Sequence, residues 1–566
     1  RKAFTDLINE GYLTGIQGLG TFVAKKQMIR GLTSLSFSDE LLQQGYEIDM
    51  HVDKIELITG ESGPVVDERL HSQFIEFLGA CIAEGIWVGE DSEIPNIHGL
   101  RRDTVEALRE LKPPVVRWPG GCFADTYHWR DGIGERAKRP VTYNNNFGTR
   151  RLEYNQFGTH EFMEFCRLIG AKPWFNGNVL SGSVGELREW AEYCNRGKGT
   201  ALAEERAENG SAEPFGVEYW GIGNESWGGG GCYTAQGYAE EYRKYASAFP
   251  SFGTPEKPFS SGMKLIAVGP DGNKPQERVA WTKDFFEAFS QYRQPPLYGY
   301  DLHFYNWNIQ DPEDRITAFS EEAWYRVISG CLELEDVIEE QYCLLQEGVS
   351  KIRRPEGWQV SGDNCRLVVG EWGNWHRPPE DAPSALWQQC TMRDAVTSAL
   401  TLDIFHRNCG KVSMACAAQA VNVLNSVLLT FGDKTVKTPN YYVFQMYKEH
   451  RNAKAVKLNV TSETLFRGEK GKVESVFAFA SCKAGKVTVN LVNPSYREER
   501  EVLLCFDSKA EYCSGQQLGG MDPTAHNTPE QPDAVSIQEA PSPAACEEGW
   551  RTVLPKASIT VYQFRL

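Results

Sequence analysis

Val217-Glu-Tyr-Trp-Gly-Ile-Gly-Asn-Glu-Ser-Trp227 decides how the rest of the chain is read. The run alternates bulky residues as a buried strand does, then breaks at Gly223, Asn224 and Glu225. A carboxylate at the mouth of a parallel strand, with an amide directly before it, sits where barrel enzymes carry their chemistry. Arg366-Leu-Val-Val-Gly370 ends in the same way, in Glu371, with Trp372 and Trp375 beside it. Two glutamates at two strand ends, walled by tryptophan, are the equipment for cleaving a glycosidic bond. Either one alone reads as a surface glutamate at a strand end; the pair, with Asn224 and the tryptophans, points to catalysis.

Outward from these two runs, strands and helices alternate from His71. The strands are expected at Phe74–Leu78, Pro114–Trp118, Lys172–Asn176, Val217–Gly223, Leu265–Val268, Tyr298–His303, Leu367–Gly370 and Val412–Ala417. Between them, Asp103-Thr-Val-Glu106 reads as a capping box opening a helix with Val105, Leu108 and Leu111 inward. Thr159 reads as the cap of a second helix that Gly170 stops, and Tyr238, Tyr242 and Tyr245 line one face of another. Eight such alternations predict an α/β fold, a (β/α)₈ TIM barrel over residues 71–447. An open doubly wound sheet is the alternative, but no GxGxxG follows the first strand. After Tyr447 the pattern turns to short alternating runs such as Lys486–Val492 and Ala557–Phe564, which predict a C-terminal antiparallel β-sandwich domain over 453–566. The loop Asp522–Ala540, rich in Pro, Asn and Gln, is expected to wander over the surface.

Composition narrows the function. The chain has 566 residues, 41% of them hydrophobic and 24% charged, which suits a globular protein of more than one domain. A formal charge of −17 argues against nucleic acid as partner and suits a neutral substrate. No apolar run approaches the roughly 20 residues needed to cross a bilayer, so no membrane partner is expected. Fifteen cysteines stand singly with no CxxC pair, which favours reduced thiols and a cytoplasmic location. The ten histidines show no HxxxH or HExxH spacing, so neither metal nor other cofactor is expected. Gly228–Gly231 is not a phosphate loop, since no Lys-Ser/Thr follows; it is expected to let the chain after Glu225 pass close to substrate.

Two resemblances emerge from longer motifs. RKAFTDLINEGYLTGIQGLGTFVAKK at the start, with GLTSLSFSDELLQQGYEIDMHVDKIEL after it, resembles the wing of a GntR-type winged-helix regulator and the opening of its effector domain, over residues 1–56. The upstream part of a recognition helix is missing, so the fragment is expected not to bind DNA. From His71 onward, IAEGIWVGEDSEIP (82–95), VRWPGGCFADTYHWRDGIGERAKRP (116–140), GIGNESWG, VGEWGNW and AQAVNV (418–423) resemble the α-L-arabinofuranosidases of glycoside hydrolase family 51. That resemblance implies a cofactor-independent retaining glycoside hydrolase that removes terminal α-L-arabinofuranosyl residues from arabinan, arabinoxylan or their oligosaccharides. It also implies a homo-oligomer, often a hexamer. Another activity of the same clan, β-xylosidase or endoglucanase, is the runner-up.

By the resemblance Glu225 is the acid/base and Glu371 the nucleophile, with Glu84, Arg117, Asn224, Tyr305 and Gln419 binding the sugar. On the fourth and seventh strands the two carboxyls would face each other about 5 Å apart, as retention requires. Trp307, Trp372 and Trp375 are candidates for an aromatic subsite. His303 reads as a hydrogen-bonding support rather than a base. Cys122 stands where many relatives carry Asn and reads as packing. A strand before the barrel would have to come from residues 45–70, with Ile48–Ile58 the candidate; unpaired, it would leave a sheet edge open.

Overall fold

The computed structural model describes residues 52–250, 262–291, 295–352 and 365–566, and only the backbone of four short strands among the first 51 residues. Two of those strands, Leu13–Ile16 and Gly20–Val23, pair antiparallel as a hairpin within the wing-like stretch. Apart from the short strands Ile29–Arg30 and Ile48–Asp49 and residues 52–56, the rest of the regulator-like stretch lies outside the described residues.

Eight parallel strands close into a barrel. We number them β1 (Ser72–Phe74), β2 (Val115–Trp118), β3 (Lys172–Gly177), β4 (Tyr219–Ile222), β5 (Lys264–Asp271), β6 (Gly299–Asn308), β7 (Arg366–His376) and β8 (Val412–Ala418). Each pairs with the next, and β8 returns to β1. Seven of the eight strands lie where expected, but the first is Ser72–Phe74 and not Phe74–Leu78, which places Glu76 just beyond its end. Strands β6 and β7 run several residues further than expected. That extension carries His303, Tyr305 and Glu371 to the rim while they remain paired to a neighbouring strand.

Side chains that point away from the barrel axis knit it to the helices. Trp118 stacks on Phe162 at 4.8 Å, and Phe175 on Trp190 at 4.7 Å. Val105, Leu108 and Leu111 are buried on helix Arg102–Leu111, and Tyr238, Tyr242 and Tyr245 on helix Ala235–Ala248. Gly170 ends its helix in the left-handed region at φ 77°, where a Cβ would be unfavourable. Two cap readings need correction. Asp103 lies inside the first turn and pairs with Arg101 at 2.9 Å, instead of capping. Gly158, not Thr159, precedes the second helix; its N–H donates to Glu161, while the Thr159 hydroxyl accepts from the Trp190 indole at 3.1 Å.

The second body is one ten-stranded sheet whose two halves share a core containing Ile55, Val456, Val489, Leu504 and Phe564. Its central strand, Asp53–Val65, comes from before the barrel. It pairs antiparallel with Lys454–Thr461 and parallel with Arg500–Phe506, so the sheet is not wholly antiparallel. The edge feared open is thus the middle of the sheet. The loop 522–540 does not wander either. Asn527 donates to the backbone oxygens of Lys437 and Val535 and is buried, and Met392 N–H donates to Ala525. Phe479, Val492, Leu518 and Ile559 of the sheet join the hydrophobic core of the barrel. No helix among the described residues is long and apolar enough to cross a membrane.

Candidate active site

The strand period of two selects the site. Along β6, Asp301, His303, Tyr305 and Trp307 share one face; along β7, Glu371, Gly373 and Trp375 do. On the floor, Arg117 of β2 is fully buried, with its guanidinium 4.7 Å from the Phe74 ring and 5.1 Å from that of Trp174. One Nη donates to Glu371 Oε1 at 2.6 Å and the other to Asn224 Oδ1 at 2.7 Å. Tyr305 Oη donates to the second oxygen of Glu371 at 2.7 Å. Burial alone would raise the pKa of Glu371, but His303, Arg117 and Tyr305 outweigh it and hold the carboxyl below its usual value. The guanidinium already balances that charge in a buried setting.

Glu225 follows β4 with φ 38°, a left-handed conformation that costs a non-glycine residue about 1 kcal/mol. The turn is held because its carbonyl accepts from the N–H groups of Gly228 and Gly230. A Cβ on Gly230 would strike the Asn224 carbonyl oxygen at 1.7 Å, and Gly231 sits at φ 129°, so the close turn needs glycine at these two positions. His303 lies between the acids, with Nδ1 2.9 Å from Glu225 and Nε2 3.3 Å from Asp301. Burial pulls its pKa down, but Glu371, Asp301 and Glu225 outweigh this and raise it to about 10. Glu225 itself is raised, first by burial and further by Glu371. Oxygens of Glu225 and Glu371 and a nitrogen of His303 all lie within 4.8 Å of one another. The two carboxylates therefore face one small space with opposite proton affinities.

Of the sequence-derived residues, the fold brings together Glu225, Glu371, Arg117, Asn224 and Tyr305, with Gln419 close by. Gln419 donates to Glu76 at 2.9 Å, leaving its own Oε1 without a protein partner. Glu84 is not brought in: 69% of its side chain is open to solvent and it pairs with Arg151 at 2.7 Å. Glu76, two residues past β1, lies beside Gln419 and near Glu371 instead. Glu76 is buried, accepts from Phe123 N–H and Asn146, and has its pKa raised to about 7 by burial and then by Glu371. The sequence showed it only as a single charge inside the apolar run Phe74-Ile-Glu-Phe-Leu78, with nothing beside it to mark a strand end. Asp125 was also missed: it is buried, and burial followed by Glu225 raises it to about 8. Cys122 is more than packing, since its Sγ lies 3.8 Å from both Glu225 and Asn224.

The tryptophans divide. Trp307 and Trp375 stack at 4.6 Å, and Trp375 meets Tyr305 edge-on at 5.1 Å. Trp372 points the other way, buried against Phe405 and Phe444, and belongs to the core. Gly121 closes the floor: a Cβ there would meet Glu371 Oε1 at 2.5 Å.

Comparisons with known proteins agree with this geometry. A family model described as the α-L-arabinofuranosidase 1 domain matches residues 107–322, and one described as the α-L-arabinofuranosidase C-terminal domain matches 370–558. The chain is 35% identical over 499 residues to an intracellular exo-α-L-arabinofuranosidase of Bacteroides ovatus, covering 87% of this chain and 90% of that protein. It is 28% identical to a probable α-L-arabinofuranosidase C of Aspergillus niger, covering 88% and 95%. Among solved structures, the GH51 arabinofuranosidase from Xanthomonas axonopodis pv. citri superposes with a TM-score of 0.83 at 34% identity, over 91% of this chain and all of that one. An α-L-arabinofuranosidase from Thermotoga maritima, in complex with arabinose, gives 0.76 at 27% over the same shares. A closed barrel with paired strand-end glutamates, together with these matches, establishes that the chain belongs to the α-L-arabinofuranosidases of glycoside hydrolase family 51.

Proposed function

We propose that the enzyme removes non-reducing terminal α-L-arabinofuranosyl residues from arabinan, arabinoxylan or derived oligosaccharides with retention of configuration. The observation that carries this reading is the pair of carboxyls within 4.8 Å, one with its pKa held below the usual carboxylate value and the other with its pKa raised above it. That spacing leaves no room for a water between sugar and base, which an inverting enzyme needs. Glu371 attacks the anomeric carbon while Glu225 gives its proton to the departing oxygen, so the glycosidic bond breaks as an ester to Glu371 forms. Glu225, now ionised, takes a proton from water, whose oxygen displaces Glu371 and frees the sugar. Two inversions give net retention.

Arg117 and Tyr305 serve the first step by keeping the Glu371 lone pairs ionised and aimed. His303 hydrogen-bonds Glu225 and steadies it in both protonation states. Asn224, Gln419 and Glu76 offer the sugar hydroxyls their hydrogen bonds. One to the 2-hydroxyl would strengthen as positive charge grows at the anomeric carbon. Fifteen free cysteines favour a reducing compartment, and we assign the enzyme to the cytoplasm.

Glu371→Ala should lower the hydrolysis of 4-nitrophenyl α-L-arabinofuranoside by at least about 10⁴-fold, as loss of a covalent nucleophile does. Azide should restore turnover and yield the glycosyl azide of inverted configuration. Near wild-type activity in this variant, or a first-formed sugar of inverted anomer from the native enzyme, would end the proposal.

A further inference from the structure

Past Trp375 the mouth of the barrel continues. Trp307 leaves 39% of its surface exposed, and beyond it the chain turns through Asn308 and Gln310 along a groove of about 730 Å³. The floor is helix Glu321–Ser350, and the far wall is the hairpin Thr464–Arg467 and Lys472–Glu474 of the C-terminal sheet domain. That wall is fixed to the helix. Phe466 stacks on Tyr325 at 5.7 Å and 12°, Ser329 donates to the Gly471 carbonyl at 3.0 Å, and Lys470 pairs with Glu333 at 3.1 Å. A groove held this way is formed before any ligand arrives, so little ordering cost falls on binding.

The lining suits a neutral, hydroxyl-rich ligand. Part of its charge is matched internally: Asp311 with Arg326 at 2.8 Å, and Asp314 with Arg393 at 2.6 Å. Gln310, Glu322, Arg467 and Glu469 are exposed, and their side chains form no hydrogen bond among the described residues. An aromatic face at one end and unclaimed planar polar groups along the walls are what a run of sugar rings requires. The volume falls in the range of pockets that enclose a ligand larger than one ring. The geometry points to this groove as the site that holds the main-chain sugars of the polymer beside the bond to be cut, with the sheet-domain hairpin as its outer wall. The inference rests on the arabinofuranosidase reading above, and it gives the C-terminal domain a part in recognising substrate.

The test compares two kinds of substrate on the full chain carrying Arg467→Ala with Glu469→Ala, and separately Gln310→Ala on the opposite wall. The readout is kcat/KM on an arabinose-substituted xylo-oligosaccharide and on a linear arabino-oligosaccharide, each divided by kcat/KM on 4-nitrophenyl α-L-arabinofuranoside. For at least one oligosaccharide that ratio should fall about tenfold in both variants, the loss of one or two hydrogen bonds, and should do so through KM. Which oligosaccharide responds identifies the main chain. Unchanged ratios for both substrates, an equal fall on all three, or a changed oligomeric state with the ratios intact would overturn the inference. A native enzyme that releases no arabinose from the aryl substrate would instead overturn the proposed function.

Discussion

Glu371 is a buried carboxyl whose burial is overruled, and Tyr305 shows how. Its hydroxyl is the donor to the oxygen that Arg117 does not hold. A hydrogen bond to a charged group contributes about 1.5–3 kcal/mol, so Tyr305→Phe should lower kcat/KM by about 10- to 100-fold. The pH profile separates this from mere loss of fit. Turnover needs Glu371 ionised and Glu225 protonated, so its acid limb follows a carboxyl below the usual 4.5 and its alkaline limb one above it. Removing the Tyr305 donor takes away one of the influences that lower Glu371, and the acid limb should move to higher pH. An acid limb that stays put in the variant would show that the hydroxyl does not tune the nucleophile.

Strand β7 carries two tryptophans with different duties, because adjacent residues face opposite sides of a strand. Trp372→Ala should remove a fully packed core side chain and cost about 3–5 kcal/mol of stability, seen as a lowered Tm. Trp375→Ala, beside Tyr305 at the rim, should leave Tm nearly unchanged and lower kcat/KM on every arabinofuranoside. Equal loss of stability in both would contradict the alternation. The eight strands were legible because buried parallel strands are continuous apolar runs with turn residues at their ends. Glu225 and Glu371 were legible for the same reason, as charges where such runs stop. Glu76 obeyed the same rule, but it lies inside an apolar run that continues to Leu78, so nothing in the local pattern marked where the short β1 ends. Asp53–Val65 was half legible, because its partners lie some 400 residues away and pairing leaves no local trace. The groove wall at Arg467 is long-range in the same sense.

At the scale of the molecule, barrel and sheet meet over a buried cluster that no spacing in the chain announced. His71 Nε2 lies 2.9 Å from His406 Nε2, the His406 ring is 5.2 Å from His450, and His450 bridges Ser481 and Asn490 of the sheet. Burial comes first among the causes that lower His406 and His450 to about 3, with Arg407 and Arg451 adding to it for His406, and His406 for His450. His71 is lowered well below its usual value, again by burial and then by Arg451. Unfolded, these residues titrate near 6.5 and bind protons that the folded chain refuses. Their stabilising contribution is therefore complete above about pH 6.5 and is lost as pH falls toward 3, at about 1.4 kcal/mol per histidine per unit. Asp403, which accepts from Asn490 and Tyr447 and is raised to about 6 by burial, works in the opposite sense and offsets part of one histidine. Glu76 and Asp125, raised to about 7 and about 8, also take up protons in the folded chain over this range, so the junction shows in the difference between native and variant chains and not in the total slope. His450→Gln keeps a side chain able to reach Ser481 and Asn490 but cannot take up a proton, and between pH 6 and 4 its Tm should gain on that of the native chain, whatever the change at pH 7. Scanning calorimetry across this range decides the matter: parallel curves for the native and variant chains would mean that acid opens the molecule somewhere other than the junction.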